Sequence, residues 1–176
     1  MKELVFPLAD KNTLLDLRAG DEVMVSGIIY TARDAAHKRI CALIEKGEEL
    51  PLPLKGQAIY YTGPTPAPEG FPIGACGPTT SGRMDAYAPR LIELGLAAMI
   101  GKGPRSEEVC RCCVKYGAVY LAAAGGAGAY MASCVKECQV IAFKELQSEA
   151  VHRLRVENML LVTAIDAHGG NLFNRD

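Results

Sequence analysis

No charge of either sign dominates this sequence. Its 19 basic and 20 acidic side chains nearly cancel, so there is no broad cationic footprint for nucleic acid, and any anion has to be bound locally. No apolar run is long enough to span a bilayer, and the opening Met1-Lys2-Glu3-Leu4-Val5-Phe6-Pro7 lacks the apolar block of a secretion signal. A soluble, intracellular, cytoplasmic protein is expected, with neither nucleic acid nor membrane as partner. The seven cysteines, an odd number without regular spacing, make no secreted disulfide framework and are expected as free thiols. Internal repeats, flexible linkers and charge blocks are missing too. What remains is a chain of 176 residues, 49% apolar, enough for one compact core and one domain over 1–176.

The turn-like Arg18-Ala19-Gly20 precedes an apolar, β-branched stretch from Asp21 to Ile29 that predicts a strand. Thr31-Ala32-Arg33-Asp34 then fits a capping box, Thr31 covering the first amides and Asp34 answering from the third helical position. The helix runs toward Lys46, with Ala36, Ile40, Leu43 and Ile44 at helical spacing and Gly47 as its stop. A short strand over Gln57 to Tyr61 leads into Thr62 to Thr80, where prolines and glycines exclude regular helix over most of the stretch. So long a loop is uncommon in a compact domain unless it serves a site, and its prolines would stiffen that site.

A helical pattern follows from Gly82 toward Leu94, with Pro89 as a kink or as the true first turn. Leu96 to Ile100 predicts a buried strand, Ser106 and Gly117 bound another helix, and Val119 to Ala123 is a further strand. Gly125-Gly126-Ala127-Gly128 opens a small-residue helix toward Val135. It matches neither G-x-G-x-x-G nor the P-loop, so close packing explains it better than a nucleotide does. Gln139 to Phe143 is a short apolar run, and Val151 to Ile165 predicts strands closing a sheet. The order is mixed α/β, a class that commonly binds ligands at its strand ends.

The strongest feature is Gly74-Ala75-Cys76-Gly77-Pro78-Thr79-Thr80-Ser81-Gly82-Arg83-Met84-Asp85, followed by Gly101-Lys102-Gly103. Hydroxyls, two cations and glycines beside a helix start are the inventory of an anion-handling site; a polar turn with solvated Arg83 and Lys102 is the plainer alternative. Arg33 and Arg83 fall in first turns, where the macrodipole disfavours a cation by roughly a few tenths of a kcal/mol. Together with Lys102 they point to a bound anion, while for Arg33 alone a surface ion pair is the alternative. A planar guanidinium suits a carboxylate and a lysine a compact oxyanion, so a small dicarboxylate would use both.

The amides of Thr80, Ser81 and Gly82 would add donors if their turn forms a nest. Alternatively, Thr79, Thr80 and Ser81 are caps for the helix beyond Gly82. A threonine hydroxyl is a very weak acid, so Thr79 as a base needs strong activation by adjacent positive charge. Asp85, two positions after Arg83, is placed to orient it or to bind a backbone amide. His37 shares a helix face with Arg33 at i and i+4 and could orient it, whereas His152 and His168 read as structural or solvated.

Cys110-Arg111-Cys112-Cys113, with Cys134 and Cys138, offers thiolates for metal or iron–sulfur ligation, but the spacing matches no zinc or ferredoxin pattern. Cys110, Cys113 and Cys134 could instead fill apolar helix faces, and no metal site is expected on this chain. Cys76 sits in the suspected active loop without a sequence-evident base beside it.

Tyr61-Thr62-Gly63-Pro64, the run from Gly77 to Asp85, and Gly101-Lys102-Gly103 resemble the C-terminal domain of class I iron–sulfur fumarate hydratases. They equally resemble the beta subunit of two-component fumarases and L-tartrate dehydratases. The likeness covers nearly the whole chain, including Thr31 to His37, Tyr120 to Gly128 and Glu145 to Glu157. It implies a swivelling β/β/α domain, a mixed sheet with flanking helices, completing an active site with a separate alpha subunit in an alpha-two beta-two assembly. It also implies that the alpha subunit holds a [4Fe-4S] cluster through three cysteines of its own, with one iron left for substrate.

By the same resemblance Arg33, Arg83 and Lys102 match carboxylate-binding residues, and Thr79 matches the proposed catalytic base, with Lys102 easing its ionisation. His37, Thr80, Ser81 and Asp85 are supporting candidates. The implied reaction is reversible hydration of fumarate to L-malate. Dehydration of L-tartrate to oxaloacetate is the runner-up, and a non-catalytic dicarboxylate-binding module is the alternative of another class.

Overall fold

The computed structural model describes residues 1–123 and 127–174. In chain order they form β1 (Lys2–Phe6), β2 (Glu22–Thr31), α1 (Asp34–Glu45), β3 (Ala58–Tyr60), α2 (Ala88–Glu93) and β4 (Ala98–Gly101). Then come α3 (Glu107–Tyr116), β5 (Val119–Ala122), α4 (Gly128–Cys134), β6 (Val135–Ala142) and β7 (Val151–Ile165). Strands β2, β3, β4 and β5 lie side by side in parallel, and β7 pairs antiparallel with both β5 and β2. The sheet therefore closes on itself. One strand can do this because it has 15 residues. Arg153 to Val162 line β2, Val162 to Ile165 line β5, and the first half also carries β6. β1 extends the sheet beside β2.

Period-two alternation sorts the strand residues into two buried layers. Ala58 and Tyr60, Ala98 and Ile100, Val119 and Leu121 join Val23, Val25, Leu154 and Val156 in one cluster. Ile59, Tyr61, Met99 and Tyr120 face the other way, against Ala36 and Ile40 of α1, Leu91 and Ile92 of α2, and Val109 and Cys113 of α3. Both faces are covered, which is why Leu96 to Ile100 reads as an unbroken apolar run. Among the described residues no helix is long and apolar enough to cross a membrane.

Several expectations are corrected. The capping box at Thr31 does not form, because Tyr30 and Thr31 pair with Ile59 and Tyr60 and stay in the sheet. The Thr31 hydroxyl lies 3.0 Å from His152 Nδ1 and accepts the His152 amide at 3.1 Å. Arg33 is the N-cap instead, with no side-chain cap bond. Pro89 marks the first turn of α2, and a separate 3-10 turn occupies Ser81–Met84. Val135 pairs with Val156, so β6 begins there and runs through the segment expected from Gln139. Gly125 and Gly126 of the expected helix start lie outside the described residues.

Other expectations hold. Ser106 Oγ accepts the Val109 amide at 3.3 Å, and Gly117 ends α3 at φ 69°. The predicted run from Val151 to Ile165 is one strand, bent at Asn158 (φ 53°), whose amide bonds to Ser26 Oγ at 3.0 Å. Beside that bend Gly27, at φ 99°, approaches β1 so closely that a Cβ would overlap the Phe6 carbonyl oxygen.

Candidate active site at the ends of three parallel strands

Because β2, β3 and β4 are parallel neighbours, their carboxyl ends open at the same edge, the usual ligand position in such sheets. The chain delivers Arg33 just after β2, the proline-rich loop after β3 and Lys102 after β4. The loop returns to its own origin. Thr79 N–H donates to the Tyr61 carbonyl at 2.8 Å, and Thr62 Oγ1 donates to the Gly77 carbonyl at 2.7 Å. Thr80 then forms a parallel bridge with Lys102. Ser81 N–H donates to the Lys102 carbonyl at 2.9 Å, and Lys102 N–H donates to Ser81 Oγ at 3.0 Å. Gly101 has no room for a Cβ, since Ser81 Oγ fills that space.

Thr79, Thr80, Ser81 and Lys102 are thus joined through the backbone. Two readings of this turn change. Ser81 is buried and its amide is already committed to Lys102, so the expected nest is incomplete. Thr80 occupies the N-cap of the 3-10 turn without a side-chain cap bond.

Arg33 and Arg83 converge on one acid. Arg83 Nε donates to Asp34 Oδ1 at 3.0 Å, while Arg33 Nε lies 3.9 Å from both Asp34 Oδ2 and Glu149 Oε1. The guanidinium of Arg33 passes over Gly63, where a Cβ would come within 2.8 Å of a terminal nitrogen. Arg33 Nε, Asp34 Oδ2 and His37 Nε2 are buried without a hydrogen-bond partner. Such groups are rare in native cores, and three at one helix start mark a place built for more than packing.

His37 is itself fully buried, with Nδ1 2.8 Å from the Arg33 carbonyl. A carbonyl can only accept, so Nδ1 carries a hydrogen, while Nε2 has no hydrogen-bond partner. Burial pushes its pKa down to about 4, against an opposing pull from that hydrogen bond. The ring meets Tyr61 edge-on at 5.4 Å. His37 therefore fixes the backbone of Arg33 and not its guanidinium.

Asp85 does bind a backbone amide, that of Ser106 at 2.7 Å, but the arginine it holds is Arg105, at 2.6 Å, and not Arg83. Arg83 leaves the turn in the direction of Asp34 instead. Arg105 was not visible as a site neighbour in the sequence, and Glu149 was visible only as part of the stretch from Glu145 to Glu157 that carries the family likeness. Asp34 was visible only as a cap.

The thiols are quiet. Cys76 is buried and burial pushes its pKa up to about 12, so it is no nucleophile near neutral pH. Cys113 and Cys134 fill apolar faces of α3 and α4, and Cys110 is half-buried. Among the described residues no three His, Cys, Asp or Glu side chains are gathered to hold a metal.

The cationic site is open. The Arg83 side chain is 50% exposed, and Lys102 and Thr80 are exposed as well. A cavity of about 650 Å³ lies beside Gly63 between the proline-rich loop and β6, and neither Thr79, Arg83 nor Lys102 lines it.

Fold and site together define a closed mixed sheet with two arginines and a lysine beside threonines at one strand-end edge. The chain belongs to the fumarase C-terminus family, whose model matches residues 6–176. It is 39% identical over 153 residues to fumarate hydratase 1, mitochondrial, of Leishmania major, covering 86% of this chain and 28% of that protein. The same figures hold for the anaerobic class I fumarate hydratase of Escherichia coli. The putative L(+)-tartrate dehydratase subunit beta of Methanocaldococcus jannaschii is 37% identical over 177 residues, covering 97% of this chain and 91% of that protein. The chain spans little more than a quarter of the fumarate hydratases it matches and nearly all of the tartrate dehydratase subunit.

Proposed function

We propose that this chain is the carboxylate-binding beta subunit of an iron–sulfur hydro-lyase that reversibly hydrates fumarate to L-malate together with an alpha subunit. The observation that carries the reading is the convergence of Arg33 and Arg83 on one carboxylate, on the same strand-end edge as the joined Thr79 and Lys102. Asp34 occupies the arginines as a substrate carboxylate would. The openness of the site supports a second polypeptide, because small-ligand sites enclose most of their ligand.

In this reading Arg33 and Arg83 grip the carboxylates, and a bound diacid competes with Asp34 for Arg83. Deprotonation beside a carboxylate places extra negative charge on its oxygens, where fixed cations stabilise it most. Thr79 takes that proton in dehydration and returns it in hydration. Its hydroxyl is intrinsically a poor base, and the Lys102 ammonium lowers the cost of its ionised form. Among the described residues no ligand set for an iron–sulfur cluster is gathered; in this reading the alpha subunit would hold the cluster, which would supply a Lewis acid for the departing hydroxyl. An alpha-two beta-two assembly is the proposed arrangement.

A second reading, L-tartrate to oxaloacetate, is favoured by one observation. The putative L(+)-tartrate dehydratase subunit beta is 37% identical to this chain over 177 residues. Coexpression with the cluster-bearing chain, anaerobic reconstitution and parallel assays on fumarate, L-malate and L-tartrate decide between them. Turnover is expected from the assembled pair and from neither chain alone. A cluster-loaded assembly that converts none of the three would overturn the proposal, and one that holds a dicarboxylate unchanged would favour the binding module.

A further inference from the structure

Arg105 is a cation that the site chemistry does not use. Its side chain has no exposed surface, so its guanidinium loses its hydration and needs replacement contacts on every side. These come from four separate segments. Asp85, after the 3-10 turn, accepts from Nε at 2.6 Å, and Met99 of β4 has its sulfur 3.3 Å from one terminal nitrogen. The Tyr61 hydroxyl lies 3.4 Å from the other terminal nitrogen. The rings of Tyr61 and of Tyr120 in β5 flank the guanidinium at 5.2 and 4.9 Å.

The same residues carry the site. Tyr61 accepts the Thr79 amide through its carbonyl. The Tyr120 hydroxyl is 2.9 Å from both Ser81 Oγ and the Gly103 carbonyl. Since the carbonyl can only accept, Tyr120 donates there and accepts a hydrogen bond from the Ser81 hydroxyl, whose oxygen in turn accepts the Lys102 amide. Asp85 also holds the Ser106 amide, fixing the far end of the segment that starts at Lys102.

We infer that Arg105, paired with Asp85, is a positioning residue that sets the placement of Thr79 against Lys102, acting through Tyr61, Tyr120 and Ser81 and not on substrate. Arg33 has separate supports in Asp34, Glu149 and Gly63. Arg33, and the Arg83 guanidinium through its ion pair with Asp34, are thus held from the start of α1, although Arg83 shares the 3-10 turn with Ser81. The inference depends on the reading of Thr79 and Lys102 as the chemical pair.

The test replaces both charges together, Arg105→Met with Asp85→Leu, a swap that commonly preserves stability because no lone buried charge remains. In the assembled, cluster-loaded complex kcat is expected to fall by about a hundredfold, the scale of a small misplacement of reacting groups. KM for the dicarboxylate and the thermal midpoint should stay near wild type. Full kcat at recovered stability would mean that the pair only supports the fold, and overturns the inference.

Amide hydrogen exchange on this chain alone gives a readout independent of turnover. Exchange at Thr79, Ser81 and Lys102 should quicken while that at His37 stays unchanged, and unaltered exchange at all four sinks the idea. Should the double variant fail to fold, Arg105→Lys replaces it, since lysine keeps the charge but loses the planar fork; a kcat loss at constant KM is again expected, and an unchanged kcat again overturns the inference. Faster exchange in a complex whose wild type has no turnover would count against the proposed reaction and leave the positioning role standing.

Discussion

Arg83 lies half in solvent with Asp34 as its ion-pair partner, so its loss should scarcely touch stability, since exposed pairs contribute about 1 kcal/mol or less. Its loss from the proposed clamp is another matter. Arg83→Ala is expected to lower kcat/KM of the assembled enzyme by roughly a hundredfold or more with an unchanged thermal midpoint, and near-native kcat/KM would remove it from the clamp. His37 behaves in the opposite way. Its folded pKa of about 4 lies below its ordinary 6.5 because burial disfavours the charge, so on acidification the unfolded chain takes the proton first. Its contribution is complete above pH 6.5 and fades as pH falls toward 4, by about 3 kcal/mol in all. His152 is shifted the same way by burial. Urea titrations across that range should therefore show a shallower pH slope in His37→Asn, which keeps a donor for the Arg33 carbonyl, and an equal slope would contradict the assignment.

At the scale of elements, β7 bends at Asn158 and β2 approaches β1 tightly. Gly27 serves that approach, with a positive φ and no space for a side chain. Gly27→Ala should cost on the order of 3 kcal/mol, read as a lower urea midpoint, and a neutral result would mean that β1 can move aside. Ser106→Ala, which removes only the cap of α3, should cost about 1 kcal/mol. The cap was legible in the sequence because Ser106, Glu107 and Glu108 precede an amphipathic run. The false cap at Thr31 was legible for the same reason and wrong for a non-local one: two further ladder pairs to β3 hold Thr31 in the sheet.

At the scale of the whole molecule, parallel order brings three distant segments to one edge, and the site they build has no roof. The isolated chain is accordingly expected to show no hydratase turnover under anaerobic assay, and turnover by the metal-free chain would contradict the proposed division of labour. Half of the Arg83 side chain is open to solvent and Lys102 is exposed, while Gly101 and Ser81 beneath them are buried.

The sequence by itself determined the element order from β2 onward, though not β1, together with the helix stops at Gly47 and Gly117, the long loop, and the cations and hydroxyls at issue. These follow from local propensity and from motifs, which need no knowledge of distant neighbours. Only the tertiary structure decided that Asp34 faces Arg83, that Asp85 serves Arg105, and that His37 is neutral. Those facts depend on which strand lies beside which and on what burial does to a charge, and both arise only when segments far apart in the chain come into contact.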